Sequence, residues 1–424
     1  MLKLNVFSIK INIILTIKLL KMKKNSIFRY ALVGAFAVTI IGCQTDSNDD
    51  VLPEVENVTY QKSEPIAGSY IITYNNTTGR IAELPKVNSN LEYKAQMSSL
   101  KTKFSNEFKS INLKEENITA TFGHSIKGFT ANLNETQLAA LKKDSRVLRI
   151  EQNQTISISP YKGKPGGGGG GTPDPQVIPY GTSRVGGGTS TSSNTAWIID
   201  SGIDLDHPDL NVDTGRSASF LRRGDADDQN GHGTHVAGTI AAIDNTIGSV
   251  GVSPGSTVVA VRVLDRRGSG STSGVIAGVD YVGANGVAGD VANMSLGGGV
   301  SQSLDDAVVN ASNPVIFVLA AGNESDDANN HSPARANGSH VYTISAMDSN
   351  DNWASFSNYG NPPVDYCAPG VAVFSTWKSG GYNTISGTSM AAPHAAGVLL
   401  LGNASSDGTV NGDPDGNADS IIHN

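Results

Sequence analysis

Cysteine is scarce in this 424-residue chain, which holds only Cys43 and Cys367. The two lie far apart, and Cys43 closes an apolar N-terminal run, so we do not expect a disulfide to stabilise the fold. An exported chain without disulfides needs another kind of support, and bound metal ions are the usual candidate.

Basic residues are in the minority, since 31 Lys and Arg face 39 Asp and Glu and leave a formal net charge of -8. No basic patch stands out, so we do not expect nucleic acid as a partner. Charged residues make up 17% and hydrophobic residues 38% of the chain. This balance is typical of a globular protein, and the length suffices for two or three domains.

Long apolar runs are also missing, because the N-terminal run at 27–41 is shorter than the roughly 20 residues of a spanning helix. It follows a short basic stretch and ends at small residues, which is the order of a secretory signal. Ile40-Ile41-Gly42-Cys43 resembles a bacterial lipobox, so we expect Cys43 to be lipidated and 1–43 to be the signal segment. The alternative is an ordinary cleaved signal with an incidental cysteine.

Two further N-terminal features follow from this interpretation. A complete signal begins at Met22, so we interpret residues 1–21 as the product of a misplaced translation start. Residues 44–65 are polar and acidic, which suits a flexible tether. We therefore expect a secreted protein or a bacterial outer-membrane or cell-surface lipoprotein, with membrane contact through the lipid anchor of the precursor.

Residues 66–158 have the composition of a small α+β domain. Strands are predicted at 70–74, 129–133 and 147–150, and helices at 91–108 and 135–143. A linker at 159–175 with six consecutive glycines has no means of packing, and it marks a domain boundary.

Residues 176–424 alternate continuous apolar runs with helical segments, a pattern that predicts a parallel sheet covered on both faces. Ligands in such folds bind beyond the carboxyl ends of the strands. The predicted strands lie at 196–199, 258–264, 291–296, 315–320 and 341–346.

Three motifs at such positions carry candidate chemistry. Asp200 ends a buried strand and could orient an imidazole, although a strand-end Asp is more often a cap or turn former. His232 and His235, three apart at a helix start, could form a metal pair or supply one general base and one packed neighbour. Ser389 at the start of the last apolar helix could be a nucleophile or a plain N-cap.

Taken together, the motifs resemble those of a known family. Asp, His and Ser occur in the chain order of subtilisin, and residues 176–424 resemble a subtilisin-like (subtilase) serine protease of the proteinase K branch. The resemblance implies an α/β, three-layer fold with a mostly parallel central sheet, preceded by a small α+β pro-domain. The matching stretches are 197–203, 207–210, 232–238, 263–265, 293–298, 320–323, 368–370 and 387–394.

The resemblance also implies a role for each residue that matches a family motif. Ser389 becomes the nucleophile, His232 the general base and Asp200 the group that holds the His232 tautomer, while His235 is structural. Asn323 becomes the side-chain donor to the oxyanion, together with the Ser389 backbone amide.

Substrate contacts are implied for a further set, whose small residues leave an open pocket for medium or large apolar P1 side chains. His331 is expected near the floor of that pocket. The set is Ser295, Leu296, Gly297, Ala320 and Gly322.

For metal ions, the resemblance makes Asp365 a calcium ligand, assisted by backbone carbonyls near Gly338 and His340. A solvated loop aspartate is the alternative. Asp225, Asp227 and Asp228 precede His232 and form a second candidate loop for a hard cation. No organic cofactor is expected.

Residues 66–158 resemble the family's inhibitory pro-segment, so the pro-domain is expected to inhibit its own chain and to be released by self-cleavage between Gln152 and the glycine run. An unrelated spacer domain is the alternative. Protein and peptide substrates and a monomeric state complete the expectation. Only 35 residues follow Ser389, so we expect reduced closing helices.

Two rival functions would each require a different pattern of residues. An esterase of the α/β-hydrolase type would need Ser before Asp before His and a Gly-x-Ser-x-Gly elbow, whose last position here is Ala391. A catalytically silent binding module would show a damaged triad or oxyanion residue, and the sequence shows none.

Overall fold

A computed structural model of the chain describes residues 63–75, 81–158 and 175–424. The signal segment at 1–43 with Cys43, most of the tether and almost all of the glycine linker lie outside the described residues. Among those described, no helix has both the length and the apolar character needed to cross a membrane.

The N-terminal domain is an antiparallel sheet covered by two helices, as its composition predicted. The side chain of Ser89 caps the first helix, and Asn134 and Gln137 form a reciprocal capping box at the second. Its elements are β1 (Pro65–Tyr74), α1 (Asn90–Glu107), β2 (Ile118–Phe122), β3 (Gly128–Asn132), α2 (Glu135–Leu141) and β4 (Val147–Ser157), with 3₁₀ turns at Lys109–Ile111 and Glu115–Asn117.

The second domain contains a mostly parallel sheet and five helices within the described residues. Its elements are α3 (Tyr180–Arg184), β5 (Thr195–Asp200), β6 (Ala218–Ser219), α4 (His232–Ala241), β7 (Thr257–Arg262), β8 (Ser269–Ser271), α5 (Thr272–Asn285), β9 (Val291–Met294), α6 (Gln302–Ala311), β10 (Ile316–Ala320), β11 (Val341–Met347), β12 (Val364–Pro369), β13 (Val373–Trp377), β14 (Gly381–Ile385), α7 (Thr388–Leu401), β15 (Ser405–Thr409) and β16 (Ser420–His423), with a 3₁₀ turn at Ala328–Asn330.

The nine strands of the central sheet lie in the order β15-β16-β12-β11-β10-β9-β5-β7-β6, and every pair but β15 with β16 is parallel. Strand β5 is buried along its whole length. Trp197 and Ile199 pack in one core cluster with α5 and α6, whereas Ala196 and Ile198 pack in another with α4 and α7. Helices therefore cover both faces, which makes three layers.

The C-terminal segment fits the expectation of reduced closing helices, because no helix follows α7 among the described residues. After α7, residues 405–423 form the hairpin β15–β16, and β16 extends the central sheet beside β12. Ile421 and Ile422 are fully buried while all of β15 is exposed. These two apolar side chains anchor the edge of the sheet. In the sequence, two adjacent apolar residues are too short a pattern to distinguish a strand from a loop.

Candidate active site

Asp200 and His232 come together at the carboxyl end of the central sheet. Asp200 is the last residue of β5, and His232 is the first of α4. Nδ1 of His232 lies 2.9 Å from Oδ1 and 3.0 Å from Oδ2 of Asp200. Both side chains are buried, so the carboxylate can fix the tautomer of the ring and stabilise its charged form.

His235 lies one turn further along α4 and faces away from this pair. Its Nε2 lies 3.0 Å from the carbonyl of Val373, and its ring meets Trp377 edge to face. Burial, foremost, and the neighbouring His232 lower the pKa of His235 to about 3. A neutral, packed imidazole fits the structural role that the resemblance implied.

Ser389 occupies the second position of α7 and is buried beneath the same cleft. Its hydroxyl donates to the Ser295 carbonyl at 3.2 Å, and the Ser295 hydroxyl donates to the Ser389 carbonyl at 2.8 Å. Ser389, His232 and Asn323 line one shared cavity. Ser295 therefore lies next to the nucleophile Ser389, and these two hydrogen bonds hold Ser389 in place.

Asn323 is held with its amide nitrogen free. The backbone amide and the hydroxyl of Thr388 both donate to Oδ1 of Asn323, at 2.8 and 2.9 Å. The Thr388 hydroxyl also accepts from Gly322 N at 3.1 Å. Because Oδ1 is occupied on the Thr388 side, Nδ2 remains available as a donor in the cavity that Asn323 shares with Ser389, as the predicted oxyanion role requires.

A cavity of about 430 Å³ opens next to Ser389 and contains most of the predicted substrate residues. Leu296, Gly297, Ala320 and Gly322 line it, and so does His331. Nε2 of His331 lies 3.4 Å from Oδ2 of Asp326. His331 thus lines the same cavity as most of the predicted substrate residues, and its place at the floor of a P1 pocket stays a prediction.

The N-terminal domain occupies the cleft with its own chain. Thr155, Ile156 and Ser157 pair antiparallel with β8, so that strand joins the N-terminal sheet. On the other side, Ser157 exchanges two backbone hydrogen bonds with Gly297, each of 3.2 Å. An extended segment paired on both sides in front of a nucleophile has the position of a bound peptide substrate.

Acidic and amide side chains fasten β4 beside the cleft. Glu151 accepts from the Ser301 hydroxyl at 2.7 Å and from Ser303 N at 3.0 Å, at the start of α6. The side chain of Asn153 accepts from Ser273 N at 3.1 Å near the start of α5. A carboxylate at a helix N-terminus is stabilised by the helix dipole, so these contacts hold the inhibitory strand in place.

Two protein-family profiles match this chain. The profile described as "Subtilase family" matches residues 196–407, and the one described as "Peptidase inhibitor I9" matches residues 69–159. The chain belongs to the subtilase family of serine proteases. Its three-layer fold and its preceding inhibitor domain are those that the sequence predicted.

Curated relatives of this subtilase include two bacterial proteins named as serine proteases. "Alkaline serine exoprotease A" of Vibrio alginolyticus is 46% identical over 296 residues, which cover 67% of this chain and 53% of that protein. "Extracellular serine proteinase" of Thermus sp. (strain Rt41A) is 38% identical over 80% of each chain. A solved "cold adapted subtilisin-like serine proteinase" is 39% identical, with a TM-score of 0.48, and the match covers 57% of this subtilase and 97% of that structure.

The predicted metal residues are engaged in protein contacts. Oδ2 of Asp365 accepts from Thr343 N at 2.9 Å, and burial raises the pKa of this carboxyl. The His340 carbonyl accepts from Phe317 N at 2.8 Å. Within 63–75, 81–158 and 175–424, no three His, Cys, Asp or Glu side chains converge to hold a metal. Calcium at Asp365 stays a prediction.

Asp228 has a structural explanation in place of the cation loop. Its two oxygens accept hydrogen bonds from its own loop, from α4 and from Ser201. Sequence reasoning missed this role and that of Thr388. It does not reveal the distant partner in either case, which is Ser201 for Asp228, 27 residues away, and Asn323 for Thr388, 65 residues away. The adjacency of Thr388 to Ser389 was the one available signal.

Proposed function

We propose that this subtilase is a secreted serine endopeptidase, synthesised as a self-inhibited precursor and activated by its own cut. The observation that carries the proposal is a single cleft in which the His232–Asp200 pair, Ser389 and Asn323 surround an extended segment of the same chain. The match to the family and to the inhibitor domain supports the same conclusion.

In the mechanism that we infer, the Ser389 hydroxyl turns from the Ser295 carbonyl toward His232 Nε2, which accepts its proton as Oγ attacks the substrate carbonyl. Asp200 keeps the imidazole in the required tautomer through Nδ1. The developing oxyanion accepts from Asn323 Nδ2 and from the Ser389 amide. The protonated His232 then donates to the leaving amine, and water hydrolyses the acyl-enzyme by the reverse sequence.

We further propose that the activating cut falls after Ile158, in the linker at 159–175. The support is the pairing of residues 155–158 along the cleft, with Ile158 lining the same cavity as His232 and Ser389. A peptide bond presented to Ser389 must therefore come later in the chain than Ile158. N-terminal sequencing of the active species tests this, and a start before residue 159 would contradict it.

For location and partners, we infer export through the signal at 1–43 and lipid attachment at Cys43 in the precursor. A cut after Ile158 would free the enzyme from that anchor. We also infer peptide substrates with medium or large apolar P1 side chains, a monomeric enzyme, structural calcium and no nucleic-acid partner. Labelling with an alkyne fatty acid tests the anchor, because Cys43→Ala should abolish incorporation.

A serine-directed fluorophosphonate probe is the direct test of the proposed enzyme. The mature protein should be labelled at Ser389 and should cleave a P1-Phe peptide, whereas Ser389→Ala should do neither. Failure to label the mature wild-type protein would favour a silent binding module instead.

A further inference from the structure

The start of helix α4, which carries His232, is fastened by side chains from outside the helix. The amide of His232 donates to Asn230 Oδ1 at 3.2 Å, that of Gly233 to Ser201 Oγ at 3.0 Å and that of Thr234 to Asp228 Oδ2 at 3.0 Å. Amides in the first turn of a helix have no partner within it. These three contacts therefore set where the helix, and with it His232, begins.

Asp228 is the centre of this arrangement and is buried. An ionised carboxylate only accepts hydrogen bonds and has about four sites for them. All five contacts of Asp228 are with donors, so both of its oxygens are fully used. The donors are Ser201 Oγ at 2.9 Å, Asn230 N at 2.8 Å, Gly231 N at 2.9 Å, Thr234 N at 3.0 Å and Thr234 Oγ1 at 2.7 Å.

Ser201 extends the arrangement to the partner of His232. Its backbone amide donates to Asp200 Oδ1 at 2.6 Å, while its hydroxyl donates to Asp228 and accepts from Gly233 N. One hydroxyl thus joins the strand end that carries Asp200 to the helix that carries His232. The two segments are in backbone contact, since a Cβ on Gly233 would lie 2.1 Å from the Gly202 carbonyl oxygen.

We propose that Asp228, acting through Ser201 and the first turn of α4, is a positioning residue that holds the His232 imidazole against the Asp200 carboxylate. This inference rests on the proposed function. Displacement of a reacting group by about 1 Å can lower turnover about 10²-fold. The Asp228 side chain also lies at the N-terminus of α4, where the helix dipole favours an acidic group.

The matched variants are Asp228→Asn and Asp244→Asn. The first variant keeps the shape of the side chain but places an NH₂ group opposite hydrogen-bond donors. The hydrogen bonds to one of the two former carboxylate oxygens must therefore break. We expect kcat, per site titrated with the fluorophosphonate probe, to fall about 10- to 100-fold with KM within twofold. Asp244 is an exposed carboxylate just beyond the C-terminal end of α4, and its variant should stay within twofold of wild type in both constants.

A second variant guards against a fold that fails to mature. Ser201→Ala removes only the bridging hydroxyl, and it should lower kcat in the same direction as Asp228→Asn. A kcat per titrated site within twofold of wild type in both variants would overturn the proposal. A smaller yield of titratable sites with unchanged kcat per site would likewise overturn it, because the effect would then be on folding alone.

A spectroscopic measurement separates positioning from general damage. The full-length Ser389→Ala chain should show a low-field proton NMR resonance from the His232 Nδ1–H bonded to Asp200, absent after His232→Ala. Adding Asp228→Asn should shift or broaden this resonance, and adding Asp244→Asn should not. An unchanged resonance in the Asp228→Asn protein would refute the positioning role, whereas an unlabelled wild-type Ser389 would refute the proposed function itself.

Discussion

Asp419 is a buried carboxyl group whose replacement should stabilise the protein at neutral and alkaline pH. Its side chain is inaccessible at the start of β16, and Oδ2 accepts from the Ser345 hydroxyl at 2.5 Å. Burial is the main cause that raises its pKa to about 6. The negative charges of Asp413 and Asp415 also raise the pKa, whereas the hydrogen bond from Ser345 lowers it. Asp419→Asn keeps the size of the side chain and removes the charge.

The size of the effect follows from the difference between the folded and unfolded pKa. The unfolded value is 3.8 and the folded value about 6, and one pKa unit corresponds to about 1.4 kcal/mol. Below pH 3.8 the group is protonated in both states and costs nothing. Between pH 3.8 and about 6 the unfolded chain gives up this proton and the folded chain keeps it, so the free energy of unfolding falls. The decrease reaches up to about 3 kcal/mol and levels off at higher pH.

The assay is thermal unfolding of the Ser389→Ala chain between pH 4 and 8, since this background prevents autolysis. We expect Asp419→Asn to raise Tm by about 6–12 °C at pH 8, at about 2–4 °C per kcal/mol, and to change it little at pH 4. Asp244→Asn, at an exposed carboxylate, should change Tm little at either pH. A gain at pH 8 no larger than the gain at pH 4 would refute the assigned cost of burying this charge.

Three further predictions concern the catalytic residues, the inhibition and the calcium site. Ser389→Ala should abolish peptide cleavage, whereas Asn323→Ala should lower kcat about 10²- to 10³-fold, which is the loss known for the oxyanion amide of subtilisin. Equal losses of the two variants in a chromogenic peptide assay would contradict these separate roles. Glu151→Ala removes the carboxylate that accepts hydrogen bonds from Ser301 and Ser303, so the lag before full activity should shorten several-fold in a progress curve. An unchanged lag would show that this contact does not hold the inhibitor domain. Calcium should raise Tm in the wild type but not in Asp365→Asn, and a wild-type Tm that ignores both calcium and EDTA would remove the metal from Asp365.

The last long helix was predictable because its signals are local. An apolar run with small residues at its start placed Ser389 at the helix N-terminus and the helix end near Leu401, and α7 spans Thr388–Leu401. The strands of the central sheet were predictable for the same reason, since buried parallel strands are continuous apolar runs.

Strand β4 was predicted too short because its second half gains its order from another domain. The sequence favoured a strand at 147–150, yet β4 continues to Ser157. Residues 151–155 are mostly polar, and the end of the strand is extended because it pairs with β8, more than a hundred residues later. No window of sequence contains both partners.

The site itself was predictable as a set of residues but not as a geometry. The motifs named Asp200, His232, Ser389 and Asn323, and the structure brings these residues around one cleft. The orientation of the Asn323 amide depends on Thr388, 65 residues away. Chain order conveys which groups take part, whereas the direction in which each one points is set by neighbours from other segments.

The strand shared between the two domains makes activation a one-way event. Once the small domain leaves, β4 is a bare edge with unpaired amides and carbonyls, and such edges readily join other extended chains. The nearest partner is the cleft it has just vacated, now open and able to cut whatever lies along it. A released N-terminal domain that binds the cleft again can be cleaved there. Each domain that is cleaved in this way lowers the amount of inhibitor that can block the enzyme again.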